Sequence, residues 1–285
     1  MKTLVFGGRG YLGKQFLEHL PGALPGEADI ADPHAVAEEL DRSRPDVVIN
    51  AAGKTGRPNV DWCEDHKLET VRSNVTGPLV LLEECAKRGI YWVHLSSGCM
   101  YEGDNAGKGF SEDDPPNFTG SFYSRSKAWA DQILREFADQ KPGMLILRLR
   151  MPFDGSHNER NLIMKLKKYD RVLDASNSLT CLPDFFDAAS ALIEHRRTGV
   201  YNVVNAGTIS PFDIVELYKE IVDPSHRFER LTLSELPQVV RAGRSNCVLS
   251  IHKLATEGII MRPVEDAVID SLREMARKPT TVVEA

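Results

Sequence analysis

The chain has 285 residues, 42% hydrophobic and 27% charged, with a net charge of −6, which suits a globular protein with a sizeable core in one large domain or two small ones. It has no block of Lys or Arg, no apolar run near the roughly 18 residues of a membrane span and no leader-like basic segment before its first strand, so nucleic acid and membrane are not expected partners. Five scattered cysteines without a Cys-x-x-Cys spacing argue against a zinc site or a disulfide framework, and for reduced thiols in a cytoplasmic protein.

Lys2 to Phe6 reads as a strand, followed by Gly7-Gly8-Arg9-Gly10-Tyr11-Leu12-Gly13 and an amphipathic helix from Tyr11 to Leu20. Gly7, Gly10 and Gly13 at the first strand-to-helix turn predict a dinucleotide site. Glycine permits the tight turn and the close approach of a pyrophosphate, and the helix N-terminus offers free N–H groups. Arg9 lies inside that turn. The acid that would hold an adenosine ribose diol is hard to place, because Asp29 and Asp32 read as the start of a helix cap at Asp32-Pro33. This favours NADPH over NADH; a solvated Arg9 is the plainer alternative.

Pro33 to Ser43 reads as helix and Asp46 to Asn50 as a buried strand ending in Asn50-Ala51-Ala52-Gly53. Small residues at a strand's C-terminal end mark where open α/β sheets bind ligands. Glu69 to Arg88 reads as one long helix holding Asn74, which on residues alone also fits a satisfied core amide. Tyr91 to Leu95 is the next strand and runs into Ser96-Ser97-Gly98-Cys99. Tyr123 to Gln140 reads as a helix with Tyr123 and Lys127 on one face. An ammonium beside a phenol favours the phenolate, so the pair suits proton transfer to or from a carbonyl or alcohol oxygen. An ordinary solvated helix face fits the same spacing. Met144 to Leu149 is a further strand. Strands alternating with helices predict a doubly wound, Rossmann-type α/β parallel sheet.

After Pro152 the rhythm loosens. Helices are expected at Asn158 to Tyr169, Asp184 to Arg196, Pro211 to Val222, Leu233 to Val240 and Pro263 to Arg277, with a strand at Val200 to Val204. We expect a nucleotide-binding domain over residues 1–152, a mainly substrate-binding lobe over 153–278 with some segments returning to the first part, and a frayed tail at 279–285.

The glycine turn, Asn50-Ala51-Ala52-Gly53, Asn74, Ser97, Tyr123 and Lys127 together resemble the extended short-chain dehydrogenase/reductase superfamily. A narrower likeness runs from about residue 2 to about residue 275. The segments Asn50 to Glu64 and Pro116 to Ser124, Leu149-Arg150-Met151-Pro152 and Arg244-Ser245-Asn246 look like the plant nucleotide-rhamnose synthase/epimerase-reductase. That family is related to dTDP-4-dehydrorhamnose reductase and GDP-fucose synthase. The resemblance implies epimerisation of UDP-4-keto-6-deoxyglucose at C3 and C5, then NADPH reduction at C4, giving UDP-β-L-rhamnose.

Residue by residue, it implies that Ser97 polarises the C4 oxygen, Tyr123 donates its proton, Lys127 binds the nicotinamide ribose and tunes Tyr123, and Asn74 braces the active-site helix. Cys99 and Lys165 would be the epimerase acid and base, in an order the sequence leaves open. On residues alone, Cys99 equally fits a small buried hydrophobe, and Lys165 a solvated helix trio with Lys167 and Lys168. The implied cofactor contacts are Gly7, Arg9, Gly10, Tyr11, Leu12, Gly13, Asn50, Ala51, Ala52, Gly53, Lys127 and Met151. The implied sugar-nucleotide contacts are Thr55, Arg57, Asn59, Trp62, Asn161 and Arg244, whose guanidinium suits a diphosphate. The implied partners are a UDP-sugar (or a dTDP-sugar) and a second copy of the chain in a homodimer. A reductase without epimerase activity, and a non-catalytic nucleotide-binding regulatory subunit, remain open alternatives.

Overall fold

The computed structural model describes residues 1–277, so the frayed tail expected at 279–285 lies outside the described residues. Ten strands occur among the described residues, in chain order: β1 (Thr3–Phe6), β2 (Leu24–Gly26), β3 (Val47–Asn50), β4 (Tyr91–Ser97), β5 (Met144–Leu149), β6 (Pro152–Phe153), β7 (Arg171–Leu173), β8 (Thr180–Cys181), β9 (Gly199–Asn202) and β10 (Glu229–Leu231). Six form one sheet in the order β2-β1-β3-β4-β5-β9, and every neighbouring pair in it is parallel. The remaining strands make two small pairs, β6 with β8 and β7 with β10. From β1 the chain winds first to β2 and then to β3 on the other side. The order reverses there, which opens a crevice beyond the strand ends where ligands bind in such sheets.

The helices are α1 (Tyr11–His19), α2 (Pro33–Ser43), α3 (Trp62–Asp65), α4 (Lys67–Val71), α5 (Gly77–Arg88), α6 (Phe122–Arg135), α7 (Leu162–Leu166), α8 (Leu182–Glu194), α9 (Pro211–Ile221), α10 (His252–Thr256) and α11 (Val264–Arg277). Alternate strand residues point to opposite faces, and both faces are covered. Val5, Ile49, Val93 and Leu147 pack with Phe16 of α1 and Phe185 of α8. Leu4, Val48, Trp92 and Ile146 pack with Leu40 of α2, Leu81 of α5 and Leu134 of α6. Burial on both faces is why these strands read as near-continuous apolar runs. A further core joins Phe153, Ile163, Tyr218, Val268 and Leu272, from segments after Pro152.

Several elements differ from the sequence expectation. β2 was not expected: Leu24-Pro25-Gly26 carries no strand signal and is held as an edge by its pairing with β1. The single helix expected over Glu69 to Arg88 is α4 and α5 joined by a π-helical turn at Arg72–Thr76, centred on Asn74. The helix expected at Asn158 to Tyr169 is only α7, because Asn161 caps it by accepting from Ile163 N. Leu233 to Val240 forms one short 3-10 turn, Leu236–Gln238. No helix among the described residues is long and apolar enough to cross a membrane.

Candidate active site

The glycine turn is held by contact. Gly7 has φ +81°, and a Cβ on it would lie 2.5 Å from Ala52 N; one on Gly13 would lie 2.1 Å from the Gly7 carbonyl oxygen. Gly10 N closes the turn on Gly7 O at 2.8 Å. Gly10 offers no side-chain cap to α1, and the first turn of α1 holds no acid. Its leading N–H groups are therefore available to an anion, which fits a pyrophosphate. Arg9 is exposed and pairs with Glu27, the residue after β2. Asp32 caps α2 through His34 N and Ala35 N. Glu27, the residue after β2 and twenty after Gly7, stands at the strand end where this fold places a ribose-binding acid. Without β2 there was no strand end to locate it. The Tyr11 hydroxyl donates to Asp154 Oδ2 at 2.6 Å, tying α1 to the segment after β6.

Asn50 is buried; its Oδ1 accepts from Ala52 N at 3.1 Å and its Nδ2 meets His94 Nδ1 at 3.2 Å. It holds the strand-end wall in place. Asn74 sits in the π turn, a device common at functional sites. Its Oδ1 accepts from Lys54 N at 2.8 Å, and its Nδ2 donates to Lys54 O at 3.0 Å and Ser126 Oγ at 3.2 Å. One amide therefore joins the loop after β3 to α6.

α6 begins where Ser121 Oγ accepts from Ser124 N at 3.1 Å and Phe122 N donates to Glu64 at 2.6 Å. That start places Tyr123 and Lys127 one turn apart, beside the end of β4. The Tyr123 phenol stands beside Ser97, and Ser97 Oγ accepts from Cys99 N at 3.2 Å. Lys127 Nζ donates to Leu95 O at 3.0 Å. Burial raises the Tyr123 pKa, with the Cys99 charge adding to it and the Ser97 hydrogen bond opposing. Burial lowers that of Lys127, against the charges of Cys99 and Asp131. The sequence reading had Lys127 lowering the phenol's pKa. In the structure Lys127 Nζ is turned onto Leu95 O, and burial is the largest influence on the Tyr123 phenol, raising its pKa.

α6 is locked to the sheet by a buried ion pair that sequence reasoning missed. Arg148 of β5 donates from Nε to Asp131 Oδ2 at 3.0 Å and from Nη2 to Oδ1 at 2.5 Å, while Ser96 Oγ donates to the same carboxylate at 2.6 Å. Asp131 lies one helical turn beyond Lys127, so the pair sets Tyr123 and Lys127 against Ser97. Asp131→Ala would strand the Arg148 charge. We expect a loss of about 3–5 kcal/mol, read from urea unfolding midpoints; a loss under about 1 kcal/mol would remove this pair as the anchor of α6.

Ser97, Cys99, Tyr123, Lys127, Arg150 and Lys165 line one cavity of about 750 Å³. The charged residues around it are mostly cations: Lys54, Lys127, Arg150, Lys165, Arg171 and Arg244, against Asp61 and Asp170. Such a surface suits a polyanion. Burial, then the Arg160 charge, lowers the Lys165 pKa. Burial raises that of Cys99, opposed by Ser97, Ser124, Arg150 and Lys127.

Leu12, Ala51, Ala52, Gly53, Thr55, Asn59, Met151 and Arg244 also line the cavity. Arg244 is already held bidentately by Asp61 at 2.8 and 3.0 Å. Arg57, Trp62 and Asn161 are not brought to the cavity wall. Arg57 is exposed and paired with Glu159 at 3.2 Å. Trp62 stacks on His66, with ring centroids 3.8 Å apart. Asn161 is fully buried and spends its amide on Asp154 and Ser156. Sequence reasoning gave no role to Arg150 or Lys54. Arg148 and Arg150, two charges in a buried strand run, were the available signal.

Comparison with known proteins gives the family. A bifunctional dTDP-4-dehydrorhamnose 3,5-epimerase/dTDP-4-dehydrorhamnose reductase of Arabidopsis thaliana is 38% identical over 259 residues, covering 89% of this chain and 85% of that protein. A trifunctional UDP-glucose 4,6-dehydratase/UDP-4-keto-6-deoxy-D-glucose 3,5-epimerase/UDP-4-keto-L-rhamnose-reductase of the same plant is 34% identical over 94% of this chain, which spans 41% of that longer protein. The crystal structure of the L780 UDP-rhamnose synthase from Acanthamoeba polyphaga mimivirus superposes with a TM-score of 0.91 at 30% identity, covering 96% of this chain and 99% of that one. The family described as the RmlD substrate binding domain matches residues 1–277, and the chain belongs to it.

Proposed function

We propose that this chain is an NADPH-dependent sugar-nucleotide oxidoreductase that is also an epimerase. It inverts C3 and C5 of UDP-4-keto-6-deoxyglucose and reduces C4 to give UDP-β-L-rhamnose. The observation that carries this reading is that the reductase group Ser97, Tyr123 and Lys127 shares its cavity with an independent acid–base pair, Cys99 and Lys165. Both relatives above and the L780 enzyme bear names of the same chemistry. UDP is favoured over dTDP by the sequence likeness to the nucleotide-rhamnose synthases and by the name of the L780 enzyme.

The two functions share one polarised oxygen. Ser97 and Tyr123 are placed to donate hydrogen bonds to the C4 oxygen, which acidifies the C–H bonds at C3 and C5. Inversion needs a base on one face and an acid on the other. Burial pushes the Lys165 ammonium towards neutral amine and keeps the Cys99 thiol protonated. These directions suit Lys165 as the base and Cys99 as the acid, and that is the order we propose. Bound NADPH supplies the hydride for C4. Tyr123 gives its proton to the C4 oxygen, and Lys127, held by Leu95 O, orients the cofactor ribose and sustains the proton supply.

Arg9 is the NADPH-selecting group, with Glu27 beside it as the feature that would otherwise suit a ribose diol. Arg9→Ala is expected to raise KM for NADPH about tenfold, the scale of one charge-assisted contact, and to leave KM for NADH within about twofold by the same scale. Steady-state kinetics with both cofactors reads this. Trp129 and Ile133 on the exposed side of α6, with Phe137 just beyond its end, support a homodimer through that face. A cytoplasmic setting is part of this reading, from five scattered cysteines without a Cys-x-x-Cys spacing.

The function is tested by incubating the protein with UDP-4-keto-6-deoxyglucose and NADPH in deuterated water and reading the product by NMR. UDP-rhamnose deuterated at C3 and C5 is the expected result. Reduction without deuterium at those carbons would leave a reductase alone.

A further inference from the structure

Among the described residues, Arg150 is a buried cation with no anion beside it. It follows β5, is 3% exposed and lines the cavity. Its Nη1 donates to Ser245 Oγ at 3.1 Å, and its Nη2 to Asn177 Oδ1 and the Ser245 carbonyl. These acceptors are all neutral, and its Nε is buried without a partner. By contrast Arg148, two residues earlier, has Asp131. Burying an unpaired charge is costly unless an anion compensates it. In a protein that keeps such a charge at the wall of a cavity, the compensating anion is expected to come from what the cavity holds.

The position of Arg150 says which anion. It is tied to the Ser97–Cys99 segment from the other side of the cavity. Ser245 accepts from Arg150 and donates to Tyr101 O at 2.6 Å, and Cys247 Sγ donates to Gly98 O at 3.3 Å. The groups around the Cys99 thiol are Ser97 from its own segment, Tyr123, Ser124 and Lys127 from α6, Cys247 from the opposite loop, and Arg150. Lys127 is turned onto Leu95 O. That bond uses one of the three ammonium donors of Lys127, whereas Arg150 Nε is buried without any partner.

We propose that Arg150 is the fixed counter-charge of the epimerisation steps, stabilising the enolate and then the Cys99 thiolate. The inference rests on the epimerase–reductase reading. At each inverted carbon, Lys165 Nζ takes the proton as the C–H bond breaks, and the electron pair moves into an enolate whose charge lies on the C4 oxygen. Cys99 Sγ–H then gives its proton to the opposite face, a new C–H bond forms, and the negative charge passes to sulfur. The ammonium and thiolate return to amine and thiol by exchange with water. One negative charge is thus present throughout, first on oxygen and then on sulfur, and a single immobile cation serves both. C4 reduction leans instead on Tyr123 and Lys127 and depends less on Arg150.

The test compares wild type, Arg150→Met and Arg150→Lys. Three quantities are read: deuterium incorporation at C3 and C5 of UDP-4-keto-6-deoxyglucose, reduction of the pre-epimerised 4-keto sugar, and the pH dependence of Cys99 alkylation followed on its own peptide by mass spectrometry. In Arg150→Met, deuterium incorporation is expected to fall about a hundredfold, the scale of one lost oxyanion donor, while reduction falls about fivefold. The midpoint of Cys99 alkylation moves to higher pH. Arg150→Lys keeps the charge and recovers deuterium incorporation to within about tenfold of wild type. A purely structural Arg150 would give a different pattern: exchange, reduction and melting temperature falling together in both variants, with the alkylation midpoint unmoved. That result overturns the proposal, as does wild-type exchange in Arg150→Met. A wild-type enzyme that reduces but incorporates no deuterium overturns the epimerase reading itself, and the role of Arg150 with it.

Discussion

Replacing Tyr123 by phenylalanine is expected to slow C4 reduction by about a thousandfold, within the range for removal of a positioned general acid. The phenol stands beside Ser97 at the end of β4. Burial raises its pKa, which favours the protonated form and suits transfer of its proton to the C4 oxygen. The ring itself would remain, so helix α6 and its Asp131–Arg148 anchor should be unaffected. The melting temperature should therefore stay close to wild type. Deuterium incorporation at C3 and C5 should fall much less, about tenfold, because Ser97 still donates to the C4 oxygen as the enolate forms. The measurement is single-turnover NADPH oxidation beside NMR of the recovered sugar. Reduction within tenfold of wild type would remove Tyr123 as the proton donor.

Cys99→Ala should produce the opposite split. Loss of the thiol removes the acid from one face of the sugar, and epimerisation is expected to fall by about two to four orders of magnitude. Reduction of a 4-keto sugar that is already epimerised should persist, because Ser97, Tyr123 and Lys127 remain in place. Lys165→Met should remove the other face and give a similar loss. The pH profile separates the two residues. Burial lowers the Lys165 pKa, so exchange should rise with pH over a range below that of an ordinary lysine, near 10.4, and Lys165→Met should abolish that rise. Turnover from the non-epimerised substrate at the wild-type rate in Cys99→Ala would return both residues to structural roles and leave a simple reductase.

How far the sequence could be read depended on whether a residue's role was local. Gly7, Gly10 and Gly13 follow directly on a strand and open a helix, and the conformational demand on glycine is a property of that turn. Tyr123 and Lys127 needed only the helical repeat to be placed on one face. The sheet strands were visible because burial on both faces leaves continuous apolar runs such as Val47–Asn50 and Met144–Leu149. By contrast β2 is three residues long and includes Pro25. Only pairing with β1 makes it a strand, and without it Glu27 could not be recognised as the partner of Arg9.

The amino-acid sequence by itself determined the doubly wound class, the nucleotide turn, the Tyr123–Lys127 helix and, through its likeness to a family, the candidacy of Cys99 and Lys165. Each follows from periodicity, local backbone demand or motif. Only the tertiary structure decided which side chains meet. Arg244 and Asp61 are paired, Asn161 is consumed in capping α7, and Arg57 and Trp62 turn away from the cavity. Arg150 stands there without a carboxylate. Polar pairing, burial and the protonation states that follow from burial are set by contacts between distant segments. No spacing along the chain encodes them, because desolvation depends on what the fold packs around a group rather than on its neighbours in sequence.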